Sequence, residues 1–393
     1  MQFQVMIKQY LKIQAGDWMA DAKMARRKKK EIRAFRDKRR VAIAAQFPLS
    51  PQQKEQVDEL FLNNYGKKVD YVWHQNYAAH TGHFDHRFIP GVLYIPEFEA
   101  FENQDRSFVD ALSDKNFLGL VAKAVGVKMP ATIVSCANGV LRDCDNRLIS
   151  PSTAEALVHR SGPCFMKPTL NSSSGNGCRI ISEDDAVSFT RNTLQSKGTD
   201  PFDVKQDFVV QELIVCHDSI RELYPGSVNT FRVITYLWRG EIEVMPVIIR
   251  IGRGGKYLDN AHQGGMFCAV HEDGSMGELA VTEFSERFSE HPDTHTVFAS
   301  HRIDCIDKVI WAAKRMHAAV PQLGVVNWDF TIDRMGEPVL IEANCDNGSV
   351  WLPQMAHGVG AFGERTAEVL QWLRFMKTLR PHERVRFVGG YME

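Results

Sequence analysis

FMKPTLNSSSGNGCRII, residues 165–181, sets two short apolar runs either side of a segment rich in Ser, Asn and Gly, with Lys167-Pro168 at its head. Ser172, Ser173, Ser174, Gly175, Asn176 and Gly177 carry no bulky side chain, so a hairpin tip here exposes many backbone N–H groups. Glycine lets a backbone approach closely, and successive amides favour anions. Lys167 stands at the root, where an ammonium meets a phosphate. Two readings remain open: a lid that folds over a polyphosphate, or a surface hairpin with a surface lysine. No G-x-x-x-x-G-K-[ST] occurs, and Gly175-x-Gly177 has no third glycine at position 180, which excludes a P-loop and a dinucleotide fingerprint.

Downstream, VNWDFTID and EPVLIEAN flank Met335-Gly336 as a strand pair. Glu342 and Asn344 lie two apart in one strand, so their side chains face the same way, with Leu340 on that face too. Asp329, in the preceding strand, is placed across from them. An Asp, a Glu and an Asn amide form a hard-oxygen set suited to Mg²⁺. The plain alternative is the polar outer face of an antiparallel sheet. Cys345-Asp346-Asn347-Gly348 follows as a tight turn, and Trp351 either walls a pocket or belongs to the core. VVQELIV is an apolar strand whose Gln211-Glu212-Leu213 either offers backbone to an adenine edge or is simply buried.

The remaining pattern predicts a helix over QQKEQVDELFLNNYG, aromatic loop sequence through residues 74–96, and an amphipathic helix, DKNFLGLVAKAVGV, closed by Gly126. Strands follow at ATIVSC and through TFRVITYLWRGEIEVMPVIIRI, with a turn at Arg239-Gly240, and helices at 301–319 and 361–379. Strands in hairpins with separate helices argue for α+β layers rather than a doubly wound parallel sheet.

At 393 residues and 44 % hydrophobic, the chain can bury a large core in two or three subdomains. Its eight cysteines form no C-x-x-C pair, which disfavours a zinc ribbon or disulfide framework. No run of eighteen apolar residues occurs, and the N-terminus is too polar for a signal peptide, so a cytoplasmic protein is expected. The net charge of −1 hides eleven Lys or Arg between Lys23 and Arg40 against two acidic residues. Met24, Ile32, Phe35 and Ala42 give that segment a thin apolar stripe at helical spacing. It either docks on an anionic lipid surface or acidic polymer, making the protein peripheral at the inner membrane surface, or is a solvated helix. His80, His83 and His86, three apart, with His74 upstream, are read as loop or plain structure in preference to a zinc site.

Taken in order, these residues resemble the ATP-grasp superfamily over residues 114–348. Asp114-Lys115-Asn116 is similar to its first lysine motif, Lys167 with the Ser/Gly loop to its second lysine and lid, and Gln211-Glu212-Leu213 to its adenine hinge. Asn229-Thr230-Phe231-Arg232-Val233 resembles the D-I-R-V stretch of glutathione-synthetase-like members, with the aspartate replaced. Arg250 with Asn260-Ala261-His262-Gln263-Gly264-Gly265 resembles R…N-x-H-x-G-G of ribosomal-protein glutamate ligases, whose arginine and asparagine line the place where acyl phosphate and nucleotide meet. Asp329, Glu342 and Asn344 match the superfamily's metal ligands. RFIPGVLYIPEFE together with SVNTFRVITY is most similar to the sugar-transfer-associated group.

The resemblance implies an ATP-grasp fold of two α+β lobes gripping a nucleotide: a small lobe at 111–212, a large lobe at 213–380, a basic helical segment at 1–47, a variable substrate-side region at 48–110 and a tail from 381. It implies ATP with Mg²⁺, or Mn²⁺ in its place, and an ADP-forming ligase that joins a carboxylate to an amine through an acyl phosphate. The substrates expected are a sugar acid or amino acid and an amine, with polysaccharide synthesis as the setting. His262 is either the general base or a structural histidine. A kinase-like phosphotransferase and a degenerate nucleotide-binding module are the competing readings. No nucleic-acid motif is seen, and a homodimer is the default expectation.

Overall fold

The computed structural model describes residues 2–170, 177–181 and 207–393. The Ser172, Ser173, Ser174 and Gly175 part of the expected lid lies outside the described residues. The chain opens with four helices: α1 (Gln2–Phe35), α2 (Lys38–Ala44), α3 (Pro51–Tyr65) and α4 (Val72–Thr81). Helix α3 starts where Ser50 and Gln53 satisfy one another's backbone N–H groups, with Pro51 at the first position, and stops at Gly66 in the left-handed conformation.

Two antiparallel sheets follow. The smaller joins β1 (Thr132–Ala137), β2 (Val140–Asp143), β3 (Cys164–Pro168), β4 (Arg179–Ile181) and β5 (Phe208–Glu212) in the order β2-β1-β5-β3-β4. The larger holds β6 (Thr230–Trp238), β7 (Glu241–Val244), β8 (Val247–Ile251), β9 (Met266–Val270), β10 (Met276–Val281), β11 (Arg287–Phe288), β12 (Val325–Ile332) and β13 (Pro338–Asn344). Its order is β11-β10-β9-β8-β6-β12-β13, with β7 turned back on β6 through Arg239 and Gly240. Both turn residues have positive φ, 50° and 87°, the pairing a two-residue hairpin loop demands. Strand β12 is buried along its whole length, between β6 and β13 and with the helix Ile306–Ala318 packed on one face. The α+β class and both strand pairs read from the sequence are present.

Three sequence expectations are corrected. Residues 72–81 are helix α4, not loop, because His74, Asn76, Tyr77, Ala78, Ala79 and His80 are all buried and the helix has no polar face to give it a period. Of the apolar stripe expected in the basic segment, Phe35 is buried against Trp73 at 3.6 Å between ring centroids and Met24 packs on the core, but Ile32 and Ala42 face solvent. For Ala42 the cause is a break at Arg36-Asp37, where Asp37 caps α2 and resets the helical phase. Leu340 does not share the face of Glu342. A bulge pairs Asp329 with Glu342 but Phe330 with Leu340, so Ile341 is the extra residue and Leu340 turns into the core.

The segment before the first sheet is tied to the larger one by Asn103. Its amide donates to Val325 O (2.7 Å) and Cys345 O (2.9 Å), and its carbonyl accepts from Gly324 N (2.9 Å) and Val325 N (3.1 Å). An unmet buried polar group costs about 1–3 kcal/mol. Asn103→Ala strands four backbone groups and is expected to lower unfolding stability by at least about 3 kcal/mol, measured by denaturant titration; a change under about 1 kcal/mol would refute this role.

Candidate active site

A row of charges crosses the middle of the larger sheet. Arg232 on β6 and Glu342 on β13 are both register partners of Asp329 on β12, so the three side chains stand abreast on one face. Strand β8 adds Arg250, opposite Thr230. Asp329 is fully buried. It accepts from Arg232 Nε at 2.6 Å and Nη2 at 3.3 Å, and Arg250 Nη2 stands 3.0 Å away. A carboxylate without solvent is tenable only with such partners. Arg250 is held in turn by Thr230 Oγ1 and by Asp259, whose Oδ2 also accepts from Thr230 N at 2.9 Å.

Asn344 completes the set. Its amide nitrogen lies 3.3 Å from Asp329 Oδ2 and 3.4 Å from Glu342 Oε1, so one side chain reaches an oxygen of each carboxylate. The two carboxylates fit a hard divalent cation that keeps further positions for substrate oxygens, and Asn344, whose NH2 group faces them here, would offer it Oδ1 once the amide turns over.

The smaller sheet and its neighbouring helix bring two lysines over this row. Lys115 is the first residue of the helix Lys115–Val125, which Asp114 caps. Its Nζ lies 3.5 Å from Glu342 Oε2. Lys167, on β3, donates to Ile341 O at 3.3 Å and is 4 % exposed. Burial first, and the charge of Lys115 second, lower Lys167 to about 8. Burial alone would raise Glu342, yet Lys115 and its fellow cations hold that carboxyl down at about 2. The two lysines thus stand together above the charged row, a concentration of positive charge suited to a polyphosphate.

These groups line one cleft of ≈ 500 Å³ between the sheets. Gln211, Glu212 and Leu213 form part of its wall, where the chain leaves the smaller sheet; Gln211 is fixed by its own side chain to Pro130 O at 3.1 Å, and Glu212 and Leu213 are exposed. Gly177, at the foot of the expected lid, has φ +74°, and a Cβ there would lie 2.8 Å from Pro168 Cγ. Asn260 and His262 line the cleft beside Arg250. Asn260 Oδ1 accepts from His262 N at 2.9 Å, starting a short turn that Gly264 ends at φ +90°. Gly265 then presses on the carbonyl of Asp259, where a Cβ would sit 2.3 Å from the oxygen. The spacing N-x-H-x-G-G is thus a backbone requirement.

His262 is not held by backbone: its Nδ1 meets Glu283 Oε2 at 2.7 Å, and Arg40 binds the other carboxylate oxygen at 2.5 Å. Trp351 lies beside the imidazole, 5.8 Å between ring centroids. Asn229, standing where the related stretch has aspartate, is buried and bonds Ile220 O, Tyr224 O and Gly252 N, a role in shaping the loop. His74 and His80 are buried against backbone carbonyls of His86 and Asn76, while His83 is exposed.

Sequence reasoning missed Asp259, Thr230, Glu283, Glu99 and Asp346. Thr230 is two residues from Arg232 on the same strand, and Asp259 directly precedes Asn260, so both carried a local signal. Glu283 reaches His262 only through the β9–β10 hairpin. Glu99 accepts from Asn347 N (2.7 Å) and Gly348 N (2.6 Å), bracing the turn behind the metal-type trio, and burial pushes its carboxyl up to about 8. Asp346 lines the cleft between Arg27 and Arg106.

Removing one partner of a buried pair costs about 3–5 kcal/mol. Asp329→Ala strips Arg232 of its carboxylate and leaves Arg250 with Asp259 alone, and is expected to destabilise by that amount. Glu342→Gln, at a side chain 30 % exposed, is expected to cost about 1 kcal/mol or less. Thermal or chemical unfolding of both variants checks the contrast; equal effects would mean Asp329 is not the keystone.

No curated protein matches the chain by sequence. Among solved structures, the ADP complex of N5-carboxyaminoimidazole ribonucleotide synthetase aligns at 12 % identity and TM-score 0.37, over 61 % of this chain and 46 % of that one. An L-amino acid ligase from Bacillus licheniformis gives 12 % and 0.37, over 68 % and 49 %. D-alanyl-alanine synthetase A from Vibrio cholerae gives 15 % and 0.38, over 67 % and 63 %. The chain thus spans about half the length of the first two of these enzymes. The model of the sugar-transfer associated ATP-grasp family matches residues 96–369, a span that holds every side chain of the charged row and both lysines above it. The chain belongs to the sugar-transfer associated ATP-grasp family.

Proposed function

We propose that this protein is an ATP-dependent ligase that activates a substrate carboxylate as an acyl phosphate and passes the acyl group to an amine, releasing ADP and phosphate. The observation that carries the reading is the convergence, in one cleft, of Asp329, Glu342 and Asn344 with Lys115, Lys167, Arg232 and Arg250. Phosphoryl transfer needs positioning and neutralised charge more than a covalent enzyme group. Asp329, Glu342 and Asn344 would hold Mg²⁺, or Mn²⁺ in its place, which when bound neutralises phosphate oxygens. Lys115 and Lys167 then face the triphosphate from the opposite side. Arg232 and Arg250, fixed by Asp329, supply positive charge where it shifts onto the transferring group without reorganising. Gln211, Glu212 and Leu213 would meet the base.

His262 suits the incoming amine. Glu283 fixes its Nδ1–H, which leaves Nε2 as the proton acceptor, and a base oriented by a third group is the usual arrangement of such pairs. The family's association with sugar transfer favours a sugar acid or an amino acid as the carboxylate, with a glycan-associated amide as product.

The test is ADP formation from ATP and Mg²⁺ across a pool of sugar acids and amino acids with hydroxylamine present. Substrate-dependent ADP with hydroxamate, reduced at least about 100-fold in Lys167→Ala, is expected. ADP with a stable phosphorylated product and no hydroxamate would replace the ligase by a phosphotransferase. Activity unchanged by Glu342→Gln would leave only a nucleotide-binding module.

Lys167 adds a pH signature. Its ammonium is present in the free protein below about 8 and lost above it, because burial and Lys115 disfavour the charge. A bound triphosphate favours that charge and draws the proton back. Binding is therefore expected to take up a proton just above pH 8 and to weaken as pH rises further, read by calorimetry in buffers of differing ionisation enthalpy. Lys167→Arg, which cannot lose its charge, should bind with no such uptake. Uptake persisting in that variant would assign the proton elsewhere.

A further inference from the structure

Helix α1 has two unlike faces. Toward the body, Asp17 accepts from His382 N at 2.9 Å and its Nδ1 at 2.8 Å, Asp21 pairs with Arg384 at 3.7 Å, Arg27 grips Asp346, and Lys28 pairs with Glu97. Every acidic residue of this helix is spent there or half-buried, Glu31 included. The outward face carries none. Its first half shows Leu11 59 %, Trp18 73 % and Met19 59 % exposed. Its second half shows Lys23, Arg26, Lys29, Lys30 and Arg33, all exposed. At 34 residues the helix is about 51 Å long, so both halves lie along one straight edge of the molecule. The family match begins at residue 96, so this helix is additional to the matched domain.

We propose that the outward face of α1 is a docking surface for an anionic lipid bilayer, with the helix lying in the interface plane. A cationic row continued by an exposed Trp, Leu and Met is the composition of interfacial helices, in which the apolar side chains enter the headgroup region and the cations meet anionic lipid. No helix among the described residues is long and apolar enough to cross a membrane, so the contact is with the surface. A soluble acidic polymer would pair with the cations but leave Leu11, Trp18 and Met19 in water. A second copy packed parallel on the same face would set five cations against five, and one packed antiparallel would set the cations of each helix on the Trp, Leu and Met of the other, which gives neither half its complement. Anionic lipid complements both halves. Because Arg27 and Lys28 bind Asp346 and Glu97 from the inner face, the docked helix would hold the cleft beside the bilayer.

Full-length protein would be sedimented with phosphatidylcholine vesicles containing about 30 % phosphatidylglycerol, and with phosphatidylcholine alone, at about 0.1 M salt. Partitioning at least about tenfold stronger to the anionic vesicles is expected. It should fall about tenfold in Lys29→Glu/Lys30→Glu/Arg33→Glu and severalfold in Trp18→Ser/Met19→Ser, with circular dichroism and melting midpoint unchanged in both. Equal binding to the two vesicle types overturns the proposal. So does tight heparin binding unaffected by Trp18→Ser/Met19→Ser in place of vesicle binding, or a dimer by light scattering that the same pair of substitutions dissolves.

Discussion

The architecture of the site depends on the Asp329 carboxyl being held where there is no water, where burial pushes its pKa up and the guanidinium groups of Arg232 and Arg250 pull the other way. It sits mid-strand in a fully buried β12, and its cost is offset only because Arg232 lies directly across on β6 and Arg250 one strand further on β8. That arrangement fixes three things together. It sets the register of the central strands, since a one-residue slip would send Asp329 into the apolar face that holds Trp328 and Phe330. It immobilises two guanidinium groups before any substrate arrives. It also leaves Glu342 and Asn344 as the adjustable members, joined to Asp329 by one amide.

Around that keystone the chain is arranged as a clamp of opposite charge. The larger sheet contributes two carboxylates, Asp329 and Glu342, and two arginines, the segment between β8 and β9 adds Asp259, and the smaller sheet with its neighbouring helix contributes Lys167 and Lys115. Burial, and after it the charge of Lys115, make Lys167 hold its proton weakly. A surface that is cationic and buried is under electrostatic stress, and an anion relieves it. The bulge at Ile341 serves the same end, turning its carbonyl to receive Lys167 while Leu340 returns to the core.

The N-terminal third braces the far side of the cleft. Residues 94–99 form a π-helical turn and run on into 100–102, and together they bury Glu97, Glu99 and Glu102. Glu99 holds the 347–348 turn, Glu102 accepts from Gly389 N, and Glu97 takes Tyr65 and Lys28. Arg40 steadies Glu283 behind His262. The basic segment is thus partly internal wiring: Arg27, Lys28 and Arg40 turn inward to these carboxylates, and the cations left outside stand on the opposite face of the same helix.

The sequence by itself determined the elements whose signals are local: strand pairs with period two, the capped helices around Gly66 and Gly126, and the Arg239-Gly240 turn; the residues of the charged cleft were legible only together, through the family resemblance, since each alone had a plain structural alternative. It was silent where the decisive contact is remote. Helix α4 is buried on nearly all sides and so shows no periodicity; Leu340 changes face through a bulge that no residue type announces; Glu283 finds His262 across a hairpin. Which basic residues face inward was likewise decided by tertiary structure, since a helix offers all its sides equally until carboxylates elsewhere in the chain, Asp346, Glu97 and Glu283, choose among them.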